Sequence, residues 1–122
     1  MLSDLWSSLF LVIPCLSTTF ASVGTMLKDL PVESLGWLLI DEAGQATPQA
    51  AVGAIMKTKR ALLVGDPMQI EPVVTLPDTL TQTICLHFGV NSDQFNAPQA
   101  SAQTLADTAC QYFSVFAGNI PK

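Results

Sequence analysis

Two short polar stretches contain the residues whose types and spacing could do chemistry. They are Asp41-Glu42-Ala43-Gly44-Gln45 and Gly65-Asp66-Pro67-Met68-Gln69-Ile70-Glu71-Pro72. An aspartate can hold Mg²⁺ directly or through water, because this ion prefers oxygen ligands and keeps several waters. The next carboxylate can then reach a water that attacks a phosphate. In the first stretch, Asp41 could therefore hold magnesium while Glu42 reaches the attacking water.

Each stretch also has an interpretation without catalysis. An acidic pair favours the start of a helix, because carboxylates interact well with the helix dipole there. The amide of Gln69 could stabilise a local turn, since Asp66-Pro67 already marks one. The catalytic interpretation is favoured because both stretches occur in one chain, each directly after an apolar run.

Three apolar runs, at residues 9–13, 37–40 and 61–64, are predicted to be β-strands. They do not alternate polar with apolar residues, and they end at Pro14, Asp41 and Gly65, which is typical of strands covered on both faces. Ligands of open α/β sheets bind beyond the carboxyl ends of the strands. We therefore expect the two polar stretches to lie side by side at that edge.

Helices are predicted between the strands. One covers residues 20–30, and another begins where Thr47 can cap a helix with Pro48 in its first turn and continues to about Lys57. Alternating strands and helices predict parallel strands joined by crossovers, and so an α/β fold with an open parallel sheet and flanking helices.

The second half of the chain is predicted to be helical. Residues 80–88 form one helix that ends at Gly89, residues 101–113 form another, and residues 91–99 are a polar loop. Residues 117–122 are expected to be a frayed end. The whole chain, 1–122, is interpreted as one partial domain with a core at about 9–90 and a helical tail at about 91–122.

The composition is apolar and weakly charged. Hydrophobic residues make up 49% and charged residues 12%, whereas soluble domains have about 25% charged residues. This favours a deeply buried sheet or surfaces that face partner segments. The net charge of -5 argues against an autonomous nucleic-acid-binding protein. The cluster of Lys57, Lys59 and Arg60 is interpreted as a solvated helix end.

Cys15, Cys85 and Cys110 have neither CxxC spacing nor accompanying histidines, so we expect reduced thiols and a cytoplasmic protein. Residues 9–16, followed by small residues, superficially match a secretory signal. The preceding segment, however, contains Asp4 and no Lys or Arg. No stretch reaches the roughly 20 apolar residues of a membrane-spanning helix, so no membrane partner is expected.

The motifs resemble those of a known family. Residues 10–90 are similar to the region around motifs II and III of superfamily 1 helicases, in the Upf-like branch whose motif II is Asp-Glu-x-x-Gln. Residues 41–45 match this pattern. Residues 65–72 match motif III, Gly-Asp-x-x-Gln-Leu-x-Pro, with Ile70 in place of Leu. Residues 17–22 are also similar to the segment before motif II, although helix capping by Ser17 or Thr18 explains them equally well.

The resemblance implies a partial RecA-like fold of the P-loop NTPase type, from the first motor domain. It implies that Asp41 coordinates Mg²⁺, Glu42 polarises the hydrolytic water and Gln69 senses the γ-phosphate. Gln45, Gly65 and Asp66 would belong to the same nucleotide site. ATP and Mg²⁺ would be the cofactors, and single-stranded DNA or RNA the partner, of the complete protein.

A phosphate-binding loop is missing from the sequence. The 122 residues contain no Gly-x-x-x-x-Gly-Lys-Ser/Thr, and the sole arginine, Arg60, precedes the third apolar run. We therefore expect a fragment of a helicase motor that is inactive alone and whose partners include the missing helicase segments. A parallel sheet cut from its domain exposes an edge, which predicts a homo-oligomer.

Two alternatives remain open at this point. The chain could be a degenerate interaction module of P-loop NTPase ancestry that has lost catalysis. It could also be an unrelated magnesium-dependent hydrolase, for which Asp66 and Glu71 are the only candidates for additional carboxylates near Asp41 and Glu42.

Overall fold

The computed structural model describes residues 2–66 and 70–111. The elements are α1 (Leu2–Val12), α2 (Phe20–Met26), β1 (Leu38–Ile40), α3 (Pro48–Met56), β2 (Ala61–Leu63), α4 (Asp78–Phe88), α5 (Ser92–Phe95) and α6 (Ala102–Ala109). Gln69 and the predicted frayed end at residues 117–122 lie outside the described residues.

The strands β1 and β2 form a two-stranded parallel sheet, with α3 between them in the chain. The Leu38 N–H donates to the Arg60 carbonyl at 2.9 Å, and the Val64 N–H donates to the Ile40 carbonyl at 2.8 Å. An isolated parallel bridge joins Leu35 to Thr58 before the strands begin. The predicted α/β fold with a parallel sheet and flanking helices is confirmed.

The prediction of a strand at residues 9–13 is wrong. Residues 9–12 belong to α1, where the rings of Trp6 and Phe10, one turn apart, stack at 5.7 Å between centroids. A short continuous apolar run does not distinguish a strand from a helix by periodicity alone. Among the described residues, the sheet therefore has two strands where the sequence predicted three.

Helix α2 is shorter than predicted. It ends at Met26 instead of residue 30, and Leu27 is its C-cap residue. Thr19, rather than Ser17 or Thr18, is the N-cap residue, and its side chain makes no capping hydrogen bond. By contrast, α3 begins at Pro48 and ends at Met56, as the sequence predicted to within one residue.

Helix α4 confirms the predicted stop at Gly89. This glycine has φ 66°, and its N–H donates to the carbonyls of Cys85 and Leu86, a left-handed cap that glycine adopts without steric cost. The predicted loop at residues 91–99 contains the short helix α5, whose N-cap residue Asn91 accepts the Asp93 N–H at 2.9 Å.

Helix α6 ends at Ala109, earlier than predicted. The backbone of the C-cap residue Cys110 is extended, with ψ 131°, so the helix does not continue. The predicted end at Phe113 lies outside the described residues.

The chain divides into two compact units. Unit 1 comprises Met1–Leu38 and Ala50–Ala61, and unit 2 comprises Leu39–Gln49 and Leu62–Lys122. Val23, Leu27, Leu30 and Ala54 form a buried core in unit 1, against which Trp6, Met26, Leu35 and Leu38 pack. The described candidate site residues all belong to unit 2.

Cys15, Cys85 and Cys110 are free thiols. None of the helices in the described part of the chain combines the length and the apolar character needed to cross a bilayer.

Candidate functional site

The post-β1 loop, defined here as residues 41–46, is a tight turn that presents two carboxylates to solvent. The Glu42 N–H donates to Oδ1 of Asp41 at 3.0 Å, and the Gln45 N–H donates to the Glu42 carbonyl at 3.0 Å. Glu42 has φ 55°, a left-handed conformation that non-glycine residues seldom adopt. Both acidic side chains are exposed, whereas Ala43, the next residue, is fully buried.

The Glu42 side chain is held by a neutral donor. Nε2 of Gln45 donates to Oε2 of Glu42 at 3.1 Å. An amide donor orients a carboxylate without forming an ion pair with it. The glutamine of the Asp-Glu-x-x-Gln pattern thus contacts the glutamate side chain directly.

The post-β2 segment, residues 64–66, lies directly against the post-β1 loop. The Ala43 N–H donates to the Val64 carbonyl at 2.9 Å. A β-carbon on Gly65 would lie 2.6 Å from the Gly44 nitrogen, and a β-carbon on Gly44 would lie 3.1 Å from the Asp66 carbonyl oxygen. Residue 65 therefore requires glycine, because a side chain there would overlap backbone atoms, whereas a side chain at residue 44 would be tightly placed.

The structure brings together five of the six candidate residues predicted from the sequence. Asp41, Glu42 and Gln45 lie on the post-β1 loop, and Gly65 and Asp66 lie on the adjoining post-β2 segment. Gln69, the sixth, lies outside the described residues, so its predicted place beside the carboxylates stays a prediction.

Helix α6 contacts the same loop, which the sequence did not predict. The Ala102 N–H donates to the Ala46 carbonyl at 2.9 Å, and the Gln103 N–H donates to the Ala43 carbonyl at 3.1 Å. Ser101 and Thr104 form a reciprocal capping box at the start of this helix. The serine marked the helix start in the sequence, but no sequence signal indicated which loop would receive the first amides.

The acidic residues fit a shared rather than a self-sufficient metal site. No group of three or more His, Cys, Asp or Glu residues that could hold a metal occurs within residues 2–66 and 70–111. The alternative of a hydrolase with Asp66 and Glu71 as further ligands is therefore unsupported. Asp41 and Glu42 could supply one or two carboxylates to Mg²⁺, an ion that in many sites is held by one or two carboxylates together with substrate phosphates.

Two of the three residues of the basic cluster contact protein groups in unit 1. Nζ of Lys57 donates to the Leu30 carbonyl, and the Arg60 guanidinium lies 5.4 Å from the centroid of the Trp37 ring. Lys57 is partly buried, so the prediction of a solvated helix end is wrong for this residue, whereas Lys59 and Arg60 are exposed as predicted. The contact between Lys57 and Leu30 was not predictable from the sequence, because the two residues are 27 positions apart in the chain.

A family model described as an AAA domain matches residues 12–76, which is more than half of the chain. The chain belongs to this family. The match covers both strands, the post-β1 loop and residues 64–66, and it supports a helicase-like P-loop NTPase domain. Together with the parallel sheet and its helices, it agrees with the predicted partial RecA-like fold.

Neither a curated protein nor a solved structure matches the chain. The family match confirms the resemblance at the level of the AAA domain. Helix α6 lies beyond the matched residues, so the family match carries no information about its contacts with the post-β1 loop. Those contacts come from the structure.

Proposed function

We propose that this chain forms part of the nucleotide site of an ATP-dependent helicase motor that acts on DNA or RNA, in the Asp-Glu-x-x-Gln, Upf-like branch of superfamily 1. One observation carries the proposal. The post-β1 loop and residues 64–66 meet backbone to backbone at the carboxyl ends of two parallel strands. In α/β sheets this edge is where ligands bind.

Each candidate residue is proposed to have a different role in ATP hydrolysis. Asp41 would hold Mg²⁺, which supplies charge neutralisation to ATP phosphates when both are bound. Glu42, oriented by Gln45, would hold the attacking water and take its proton. Gly65 and Asp66 would line the site. Gln69 would contact the γ-phosphate and couple its binding to movement of other parts of the motor.

The 122 residues are not sufficient for catalysis. They contain no Gly-x-x-x-x-Gly-Lys-Ser/Thr, the motif whose backbone amides and lysine hold the phosphates in P-loop enzymes. One or two carboxylates without phosphate oxygens bind Mg²⁺ weakly. The chain alone is therefore proposed neither to hydrolyse ATP nor to unwind duplexes, and the remaining motor segments are its expected partners.

A metal titration tests the site. Mn²⁺, added with ATP to ¹⁵N-labelled chain, should broaden the amide signals of residues 42–44 and 65–66 before all others. Asp41→Asn should remove this selectivity, because the metal would lose its proposed carboxylate ligand. Asp93→Asn is the matched control, since Asp93 is an exposed aspartate in the first turn of α5.

Equal broadening at Asp41 and Asp93, unaffected by Asp41→Asn, would contradict the proposed site and favour the non-catalytic interaction module. Phosphate release measured on the same samples should stay at the background rate. Turnover that Glu42→Gln abolishes would show instead that the chain is catalytically sufficient.

A further inference from the structure

Gln103 is tied to the post-β1 loop by its main chain. The first amides of a helix have no acceptor within the helix, and two such amides of α6, those of Ala102 and Gln103, donate to the carbonyls of Ala46 and Ala43. The start of α6 therefore has a fixed place on the loop that carries the two candidate catalytic carboxylates.

The Gln103 side chain also reaches the contact between the loops. Its Oε1 lies 3.2 Å from the position that a β-carbon on Gly65 would occupy, and that position is 2.6 Å from the Gly44 nitrogen. Oε1 is buried and accepts no hydrogen bond from any described residue. A buried carbonyl oxygen without a donor is unfavourable, so it calls for a physical explanation.

Asp107 sets the direction of this amide. Nε2 of Gln103 donates to Oδ1 of Asp107, one turn further along α6, at 3.1 Å. The nitrogen end of the amide thus serves the carboxylate, and the oxygen end lies beside Gly65. Gly44 has an N–H suited to that acceptor, whereas the neighbouring Ala43 N–H already donates to Val64.

We propose that Gln103 is a positioning residue whose side-chain oxygen accepts the Gly44 N–H in solution, at the contact between the post-β1 loop and the post-β2 segment. The bond would fix the loop that carries Asp41 and Glu42 against the segment that leads to Gln69. Any effect of this bond on phosphate binding depends on the proposed function. The existence of the bond does not depend on it.

Amide hydrogen exchange in the metal-free chain tests the bond. Gln103→Met keeps the length of the side chain and removes the oxygen, so exchange of the Gly44 amide should accelerate by about fivefold, the factor that one net hydrogen bond corresponds to. The Gly44 amide proton should also shift upfield. Gln82→Met, the same change on the exposed side of α4, should alter neither quantity.

The thermal midpoint separates positioning from a merely structural role. Losing one net hydrogen bond should lower the midpoint by no more than about 2–8 °C. An unchanged Gly44 exchange rate and chemical shift in Gln103→Met would overturn the inference, as would faster exchange that accompanies a larger drop in the midpoint. Loss of Mn²⁺ selectivity at Asp41 would instead count against the proposed function, because this exchange measurement uses no metal.

Discussion

The amide nitrogen of Gly44 lies 2.6 Å from the position that a β-carbon on Gly65 would take. No side chain separates the two residues, so the loop after one strand is fixed in place by the backbone that follows the other. The arrangement of the acidic pair relative to residues 64–66 therefore depends on residue 65 being glycine.

Gly65→Ala should lower the free energy of unfolding by about 1–3 kcal/mol, because the new methyl group meets backbone atoms that cannot rotate away. Gly53→Ala is the matched control: a β-carbon there meets nothing within 4 Å, inside α3. It should raise stability by about 0.5–1 kcal/mol, as alanine does in helix interiors. Urea denaturation followed by circular dichroism measures both. Equal effects of the same sign would show that the two loops are not in contact in solution.

The position of this candidate site could be predicted largely because the polar residues come directly after the apolar runs in the sequence. Asp41 and Gly65 each come immediately after a strand, so parallel pairing alone placed their loops at one edge. The contact of Gln103 with Ala43 was not predictable in the same way. It joins elements distant in sequence through backbone amides, and a backbone amide has no residue-type signal.

The backbone conformation of Glu42 was also not predictable from the sequence. Glutamate is not a residue that favours positive φ, so nothing in the Asp-Glu pair indicated the left-handed turn.

The wrong strand at residues 9–13 has a different cause. A five-residue apolar run suits either a strand or a helix. In the structure the run continues a helix that begins at Leu2, in which Phe10 stacks on Trp6 one turn earlier.

Glu42→Gly should stabilise the chain by up to about 1 kcal/mol, because it relieves the left-handed strain at a modest cost in chain entropy. Glu33, with φ 56° outside the site, is the matched position, and Glu33→Gly should give a similar gain. Glu42→Gln keeps the strain and should change stability by less than about 0.5 kcal/mol. Thermal unfolding measures all three. Destabilisation by Glu42→Gly alone would mean that the bond from Gln45 outweighs the backbone strain.

The chain should bind a 20-nucleotide single-stranded DNA with a Kd above about 100 µM at physiological salt, weaker than the usual non-specific range. Two cations of its cluster, Lys57 and Arg60, already contact Leu30 and Trp37, and the net charge is -5. Fluorescence anisotropy of a labelled oligonucleotide measures the affinity across a salt series. Tighter binding that Lys59→Ala weakens would contradict this and show that the cluster is a binding surface.

The chain should self-associate through the outer face of its sheet. Leu39 is 70% exposed and Leu62 is 49% exposed. Because strand side chains alternate between faces, Leu39 points away from the side on which Ile40 is buried. Both faces of a parallel sheet are normally covered, so a second copy is expected to cover this one. Sedimentation velocity at tens of micromolar, a range in which weak dimers form, should show a dimer or a larger species.

Leu39→Lys and Leu62→Lys should each weaken that association by roughly tenfold or more, since each places a charge where apolar surface would be buried. Leu86→Lys is the matched control, because Leu86 is 82% exposed but lies on α4 rather than on the sheet. It should leave the sedimentation coefficient unchanged. A monomeric wild-type chain would remove the prediction altogether. Dissociation by Leu86→Lys with no effect of Leu39→Lys would place the interface on α4, because only the surface that a partner buries is sensitive to a new charge.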